Sequence, residues 1–326
     1  MTRLTQHIRF FLITLLISAF LSSALFAEDK PPKPPKGFLN NFFLKAALVL
    51  KMVKLVDTEP DTPLGILEFK DLVYKTVEND TLKLDIYRLK KVTEPQPLLI
   101  FIHGGGWRSG KKEDYRVYNL DFAERGYITA SISYRLSKTA KYPAAVQDVF
   151  CAVRWLRAHA QDYFIDPDKI AVIGGSAGGH LSLLVGFAPD SVFAAPCQAH
   201  ADCRVQAVVD LYGPVDLTTE YGRTHDLTTS FFGGSYEEAP HHYLEASPLT
   251  WISPDDPPTL IFHGTIDDLV PVRQSDTLAA ALERAGIQHE YHRLKGWPHA
   301  MDLSQKVNDY CQYYMDRFLR RVFKLD

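Results

Sequence analysis

The chain alternates between short, continuous apolar runs and longer stretches in which apolar residues recur every three or four positions. Continuous runs fall at residues 97–102, 128–132, 170–173, 205–211 and 258–262. Strands so uniformly apolar suit a sheet that is covered on both faces. Helical spacing marks residues 144–159, 274–285 and 306–323, the second ending on Gly286, a helix stop. Ahead of these, residues 72–74 and 82–87 flank Asn79-Asp80 with alternating apolar positions, which predicts a hairpin. Residues 291–294 supply a last strand. Strand and helix alternate along the chain, and this predicts an α/β fold: one mainly parallel, doubly wound sheet with helices on both faces. No internal repeat and no second domain is visible.

The start of the chain departs from this pattern. A basic stretch ending at Arg9 leads into an apolar run over residues 10–26, then small residues up to Ala27 and the acids Glu28 and Asp29. That is the layout of a cleavable secretory signal cut after Ala27, so a secreted or periplasmic location is expected. The competing reading is an uncleaved anchor, but the run falls short of the ~20 residues a spanning helix needs. Residues 30–36, rich in Pro and Lys, read as an extended tether. Residues 38–56 are apolar with Lys45, Lys51 and Lys54 interspersed. They predict a helix packed on its own domain, with association to a membrane surface as the open alternative. The expected division is therefore signal 1–27, tether and N-terminal helix 28–70, and catalytic domain 71–326.

Composition narrows the picture only slightly. With 326 residues, 46% hydrophobic and 23% charged, the chain has material for a large core, and a formal net charge of −3 points to no nucleic-acid partner. Export permits disulfides. Cys197 and Cys203 flank a short segment and are expected to pair as a local staple, leaving Cys151 and Cys311 as buried thiols on helices. No Cys/His spacing resembles a metal site, and nothing in the sequence reveals the oligomeric state.

Chemistry enters at residue 176. The strand over 170–173 runs into Gly174-Gly175-Ser176-Ala177-Gly178 and then an apolar helical stretch. A serine on a tight strand-to-helix turn stands exposed at the carboxyl edge of the sheet, with a helix N-terminus aimed at developing negative charge. Ser176 is the expected nucleophile. Directly after the strand ending at Ile102 comes His103-Gly104-Gly105-Gly106-Trp107, where side-chain-free backbone can offer N–H groups to an oxyanion. Gly105 and Gly106, together with Ala177, are the expected donors. His103 reads as a buttress of this loop, and Trp107 as lining the pocket or packing beneath it. A serine needs a base, and the base an orienting acid. His299, on the loop after the last strand, is preferred over His292, which sits within that strand. Past the strand ending at Phe262 two acids compete, Asp267 and Asp268, while His263 reads as structural. The order Ser, acid, His is the one an α/β-hydrolase uses.

These segments together resemble the α/β-hydrolase superfamily, most closely the bacterial carboxylesterases described as feruloyl-esterase-like and related to hormone-sensitive-lipase-type esterases. The resemblance rests on HGGGW, IGGSAGGHL, HGTIDDLVP and GWPHAM, and extends through Tyr142-Pro143, Asp148, Arg154-Trp155-Leu156, Asp166-Pro167-Asp168 and Tyr212-Gly213-Pro214. It implies a Ser176–His299–Asp267 triad, which selects Asp267 over Asp268. It also implies oxyanion donors at Gly105, Gly106 and Ala177, and hydrolysis of a small-molecule carboxylic ester without a cofactor. A small cap would come from residues 189–203 and 221–250. An arylformamidase, a prolyl-oligopeptidase-type peptidase and a catalytically silent binding relative remain as alternatives.

Overall fold

Helices cover both faces of an eight-stranded sheet, because its central strands are apolar on both sides. The computed structural model describes residues 31–325 apart from Asn79 and Gln198, so the expected signal over 1–27 lies outside the described residues. In chain order the strands are β1 (Ile66–Val77), β2 (Asp80–Leu89), β3 (Gln96–Ile102), β4 (Ile128–Ile132), β5 (Ile165–Gly175), β6 (Ala207–Leu211), β7 (Thr259–Gly264) and β8 (His289–Leu294). Their order across the sheet is β1-β2-β4-β3-β5-β6-β7-β8. The predicted hairpin is present, with Val77 opposite Asp80. β1 and β2 are antiparallel to their neighbours, and every pairing from β4 to β8 is parallel. This is the expected mainly parallel sheet.

The strand pleat distributes the runs between two cores. Leu98, Ile100 and Ile102 join one cluster, and Leu99 and Phe101 the other. Helix α3 (Ala144–Ala158) and helix α4 (Ala177–Phe187) pack into the first cluster with α7 (Arg273–Ala285). Helix α2 (Arg116–Glu124) and helix α8 (Gln305–Phe323) close the second. Short helices α5 (Asp226–Phe232) and α6 (Pro240–Glu245) fall in the expected cap, whose earlier portion, 189–203, holds no helix or strand among the described residues. The polar, weakly periodic α2 was not anticipated. Its helical state is decided by Leu120, Phe122 and Ala123 packing on the sheet.

Two boundaries differ from expectation. The described residues from Pro34 to Leu325 form one compact unit, and β1 begins at Ile66, ahead of the expected domain start at 71. Helix α1 (Asn41–Val49) is packed on the domain through Leu44 and Ala47. The preceding segment is seated as well, since Trp297 Nε1 donates to Pro35 O and Phe38 N to Gly296 O.

The expected Cys197–Cys203 staple is replaced by a Cys151–Cys197 disulfide, with Cα atoms 5.4 Å apart. Cys203 is a buried free thiol that donates to Asp190, and Cys311 is the other free thiol. The partner of Cys197 comes from α3, brought near by packing rather than by closeness along the chain. Proximity along the chain could not reveal it.

Candidate active site

Parallel strand order places the four functional loops along one sheet edge. β3 lies beside β5, with Ile102 opposite Gly174, so the glycine loop after β3 runs next to the turn after β5. β7 and β8 are likewise neighbours, and the loops that follow them meet: Ile266 N donates to Trp297 O and Gly296 N to Thr265 Oγ1.

Ser176 has φ 58° and ψ −122°, a backbone conformation costly for a residue with a Cβ. Among the described residues nine non-glycine positions have positive φ. Four of them, Trp107, Ser176, Tyr212 and Ala300, gather here, so strain is concentrated at this edge. The glycine after Ala177 is dictated by contact. A Cβ on Gly178 would lie 1.9 Å from Ile102 O, so only glycine lets α4 approach β3 this closely.

His299 Nε2 lies 2.9 Å from Ser176 Oγ, and His299 Nδ1 lies 2.7 Å from Asp267 Oδ2. The structure thus brings Ser176, His299 and Asp267 into one hydrogen-bonded line. Asp268 is exposed and accepts from Asn41 Nδ2 instead, at 3.0 Å. His292 hydrogen-bonds Tyr310 at 2.8 Å and stacks on Phe262, apart from the line.

The Asp267 side chain is enclosed, and its other oxygen accepts from Leu269 N at 2.9 Å and Val270 N at 2.8 Å. Burial acts against its charge. Hydrogen bonds from His263 and His299 outweigh that and hold the carboxyl at about 2. An acid ionised at neutral pH fixes the proton of His299 on Nδ1, leaving Nε2 free to accept from the serine. The structural role expected for His263 includes a contact with the acid that the sequence reading does not reach. Its Nε2 lies 3.1 Å from Asp267 Oδ2 and 2.9 Å from Val270 O, and its Nδ1 2.7 Å from Ser275 Oγ. Two acceptors around Nε2 place the proton there, so His263 supports Asp267 from behind. The four-residue spacing between them was the available signal. Tyr212 also went unassigned. Its ring meets His299 edge to face at 4.6 Å, and its hydroxyl donates to the buried Asp302.

Gly105 and Gly106 have φ 99° and 60°, and neither amide donates to a protein acceptor among the described residues. Ala177 is the first residue of α4, where an amide has no partner within the helix. Gly104, Gly105, Gly106, Ser176 and His299 line a common cavity of about 350 Å³, with Leu227 and Leu269 on its apolar side. Trp107, expected to line this pocket or pack beneath it, does not line it. It is buried beneath, stacked on Phe231 at 4.5 Å, and its Nε1 donates to His180 Nδ1 at 3.3 Å. The indole faces the cap core because the backbone at Trp107 is left-handed, with φ 55°. His180 passes the link on to Ala246 O at 2.7 Å, and burial pushes its imidazole down to about 4, so it is neutral. His103 stacks on Tyr134 and bonds Gly104 O at 2.9 Å, a buttress as read. No cluster of metal-ligating side chains occurs among the described residues.

The arrangement holds an alcohol nucleophile, a base, a fixed anion behind the base, and free amides beside the nucleophile. That is machinery for acyl transfer. Residues 84–282, more than half of the chain, match the BD-FAE family. The chain belongs to this family. The "Probable carboxylic ester hydrolase LipM" of Mycobacterium tuberculosis is 38% identical over 250 residues, 74% of this chain and 58% of the relative. Esterase LipQ of the same organism is 34% identical over 69% of this chain and 55% of its own length. The chain thus spans under three fifths of the length of these two curated relatives. Among solved structures, Thermogutta terrifontis esterase 2 phosphorylated by paraoxon superposes with a TM-score of 0.68 at 28% identity, covering 82% of this chain and 97% of that one. Membership agrees with the α/β-hydrolase sheet described above.

Proposed function

We propose that this chain is an exported serine carboxylesterase that hydrolyses small-molecule carboxylic esters through an acyl-enzyme. The observation that carries the reading is the hydrogen-bonded line from Ser176 through His299 to an ionised Asp267, opening onto a cavity walled by unpaired glycine amides. His299 takes the serine proton as Oγ attacks the ester carbonyl, and the Gly105, Gly106 and Ala177 amides hold the oxyanion. His299 then protonates the leaving alcohol, and water releases the acid by the same steps. Each oxyanion donor contributes ~3 kcal/mol in comparable sites.

Export is supported by the layout of the first 27 residues and by the Cys151–Cys197 disulfide, a bond favoured in oxidising compartments. The bound butyrate and paraoxon-phosphorylated forms of esterase 2 suggest where to begin testing. The chain from residue 28 onward should hydrolyse p-nitrophenyl esters of short acyl chains, with Ser176→Ala inactive. Paraoxon should phosphorylate Ser176, read by peptide mass spectrometry. Activity retained by Ser176→Ala, or hydrolysis of formamides and peptides with no ester turnover, would overturn the proposal.

A further inference from the structure

The structure places an apolar, lysine-bearing surface beside this edge of the sheet. Helix α1 already satisfies the domain through Leu44 and Ala47, which point inward one turn apart. The outward side of such a helix is ordinarily polar. Here it is not. Leu39, Phe42, Val49 and Met52 are 81%, 74%, 82% and 74% exposed, and Phe43, Leu50 and Leu55 are exposed as well. Of the twelve exposed large hydrophobic residues among those described, eight lie between Leu39 and Leu55, and Leu303 adjoins them where Val56 N donates to its carbonyl. A patch of this kind marks an interaction surface rather than scattered exposure.

Charge selects the partner. From residue 30 to residue 56 the chain carries six lysines and not one acid, although it is net negative as a whole. Lys45, Lys51 and Lys54 stand exposed among the apolar side chains. An apolar face studded with lysines, with no carboxylate within the segment itself, matches an anionic lipid surface: apolar groups enter the interface while ammonium groups meet headgroup phosphates. A second copy of the chain would bring Lys45, Lys51 and Lys54 against the same three lysines.

The same segment is fastened to the catalytic loops. Asn41 Nδ2 reaches Ile266 O at 3.3 Å and Asp268 at 3.0 Å, on the loop that carries Asp267. Val56 N donates to Leu303 O and Gln305 N to Lys54 O, just past His299. Val56 and Thr58 then line a cavity of about 360 Å³ that shares Gly104, Gly105, Tyr115, Tyr212 and Ala300 with the catalytic one. Binding through this segment would set the esterase pocket at the lipid boundary.

We infer that residues 39–55 dock the folded enzyme onto an anionic lipid surface. The docking stands on this surface alone, and only its service to catalysis rests on the esterase reading. The test uses residues 28–326, which include the whole compact unit, with Ser176→Ala so that binding is read independently of turnover. It is sedimented with vesicles of phosphatidylcholine alone or of phosphatidylcholine with phosphatidylglycerol. Binding should require phosphatidylglycerol and weaken in high salt. Lys45→Gln with Lys51→Gln and Lys54→Gln should weaken it about a hundredfold, at about fivefold per lysine. Phe42→Ser with Met52→Ser should weaken it at every salt concentration. In the Ser176 background both variant sets should retain p-nitrophenyl acetate hydrolysis, which shows that they fold. No binding to the anionic vesicles at low salt, or equal binding by wild type and variants, would overturn the inference. So would a dimer in light scattering that Phe42→Ser with Met52→Ser converts to monomer.

Discussion

Replacing Asp267 with Asn tests the electrostatic account of the site. The carboxylate accepts from His299, His263, Leu269 N and Val270 N, and a side-chain amide can match only the acceptor half of this set. The two backbone amides hold Oδ1 as acceptor, which turns the NH₂ towards His299 Nδ1. The imidazole must then carry its proton on Nε2, where it can no longer accept from Ser176. A tautomer reversed in this way costs ~10⁴ in kcat in the serine-protease triad, and the same geometry here should lower kcat/KM by about 10³–10⁴. Stability should fall too. The drop from an ordinary 3.8 to about 2 corresponds to about 2 kcal/mol favouring the ionised, folded form. Because the folded pKa is depressed, that stability is complete above about 4 and is lost as pH falls towards 2. Steady-state kinetics on p-nitrophenyl butyrate and thermal melts across acid pH measure both effects. Asp268→Asn, which loses only an exposed contact with Asn41, should stay within about threefold of wild type. Activity within tenfold of wild type for Asp267→Asn, or a collapse for Asp268→Asn, would refute the assignment.

Other consequences are equally direct. Reduction, or Cys197→Ser, should lower stability by about 4 kcal/mol given a 46-residue loop, while Cys203→Ser should leave the cross-linked peptide unchanged in non-reducing mass spectrometry. Burial drives the Asp210 carboxyl up to about 8, and its hydrogen bond from Gly213 N lowers it less. Its raised folded pKa means that stability declines by up to about 1.4 kcal/mol per pH unit between its unfolded value, near 4, and 8. Asp210→Asn should flatten that decline in melts taken at stepped pH, and an unchanged slope would contradict it. Gly178→Ala, with its Cβ 1.9 Å from Ile102 O, should cost more than about 3 kcal/mol in chemical denaturation.

Much of the site was legible because its parts are local. A strand, a glycine-flanked serine and a helix are contiguous at 170–185, as are the glycine loop after β3 and the two loops after β7 and β8. Local backbone chemistry suffices to recognise each. Parallel sheets also put strand ends, and hence such loops, on one edge, so Ser176, Asp267 and His299 could be grouped before any distance was known. By contrast, Asp267 and Asp268 are adjacent and chemically identical, and the residues alone left both open. Only the fold encloses one among four donors and turns the other to solvent. The partner of Cys197, the direction of the Trp107 indole and the support of Asp267 by His263 were equally closed to inspection of the chain. Each depends on which side chains packing brings together across tens of residues. Periodicity records that a residue is buried, and tertiary structure alone decides against what.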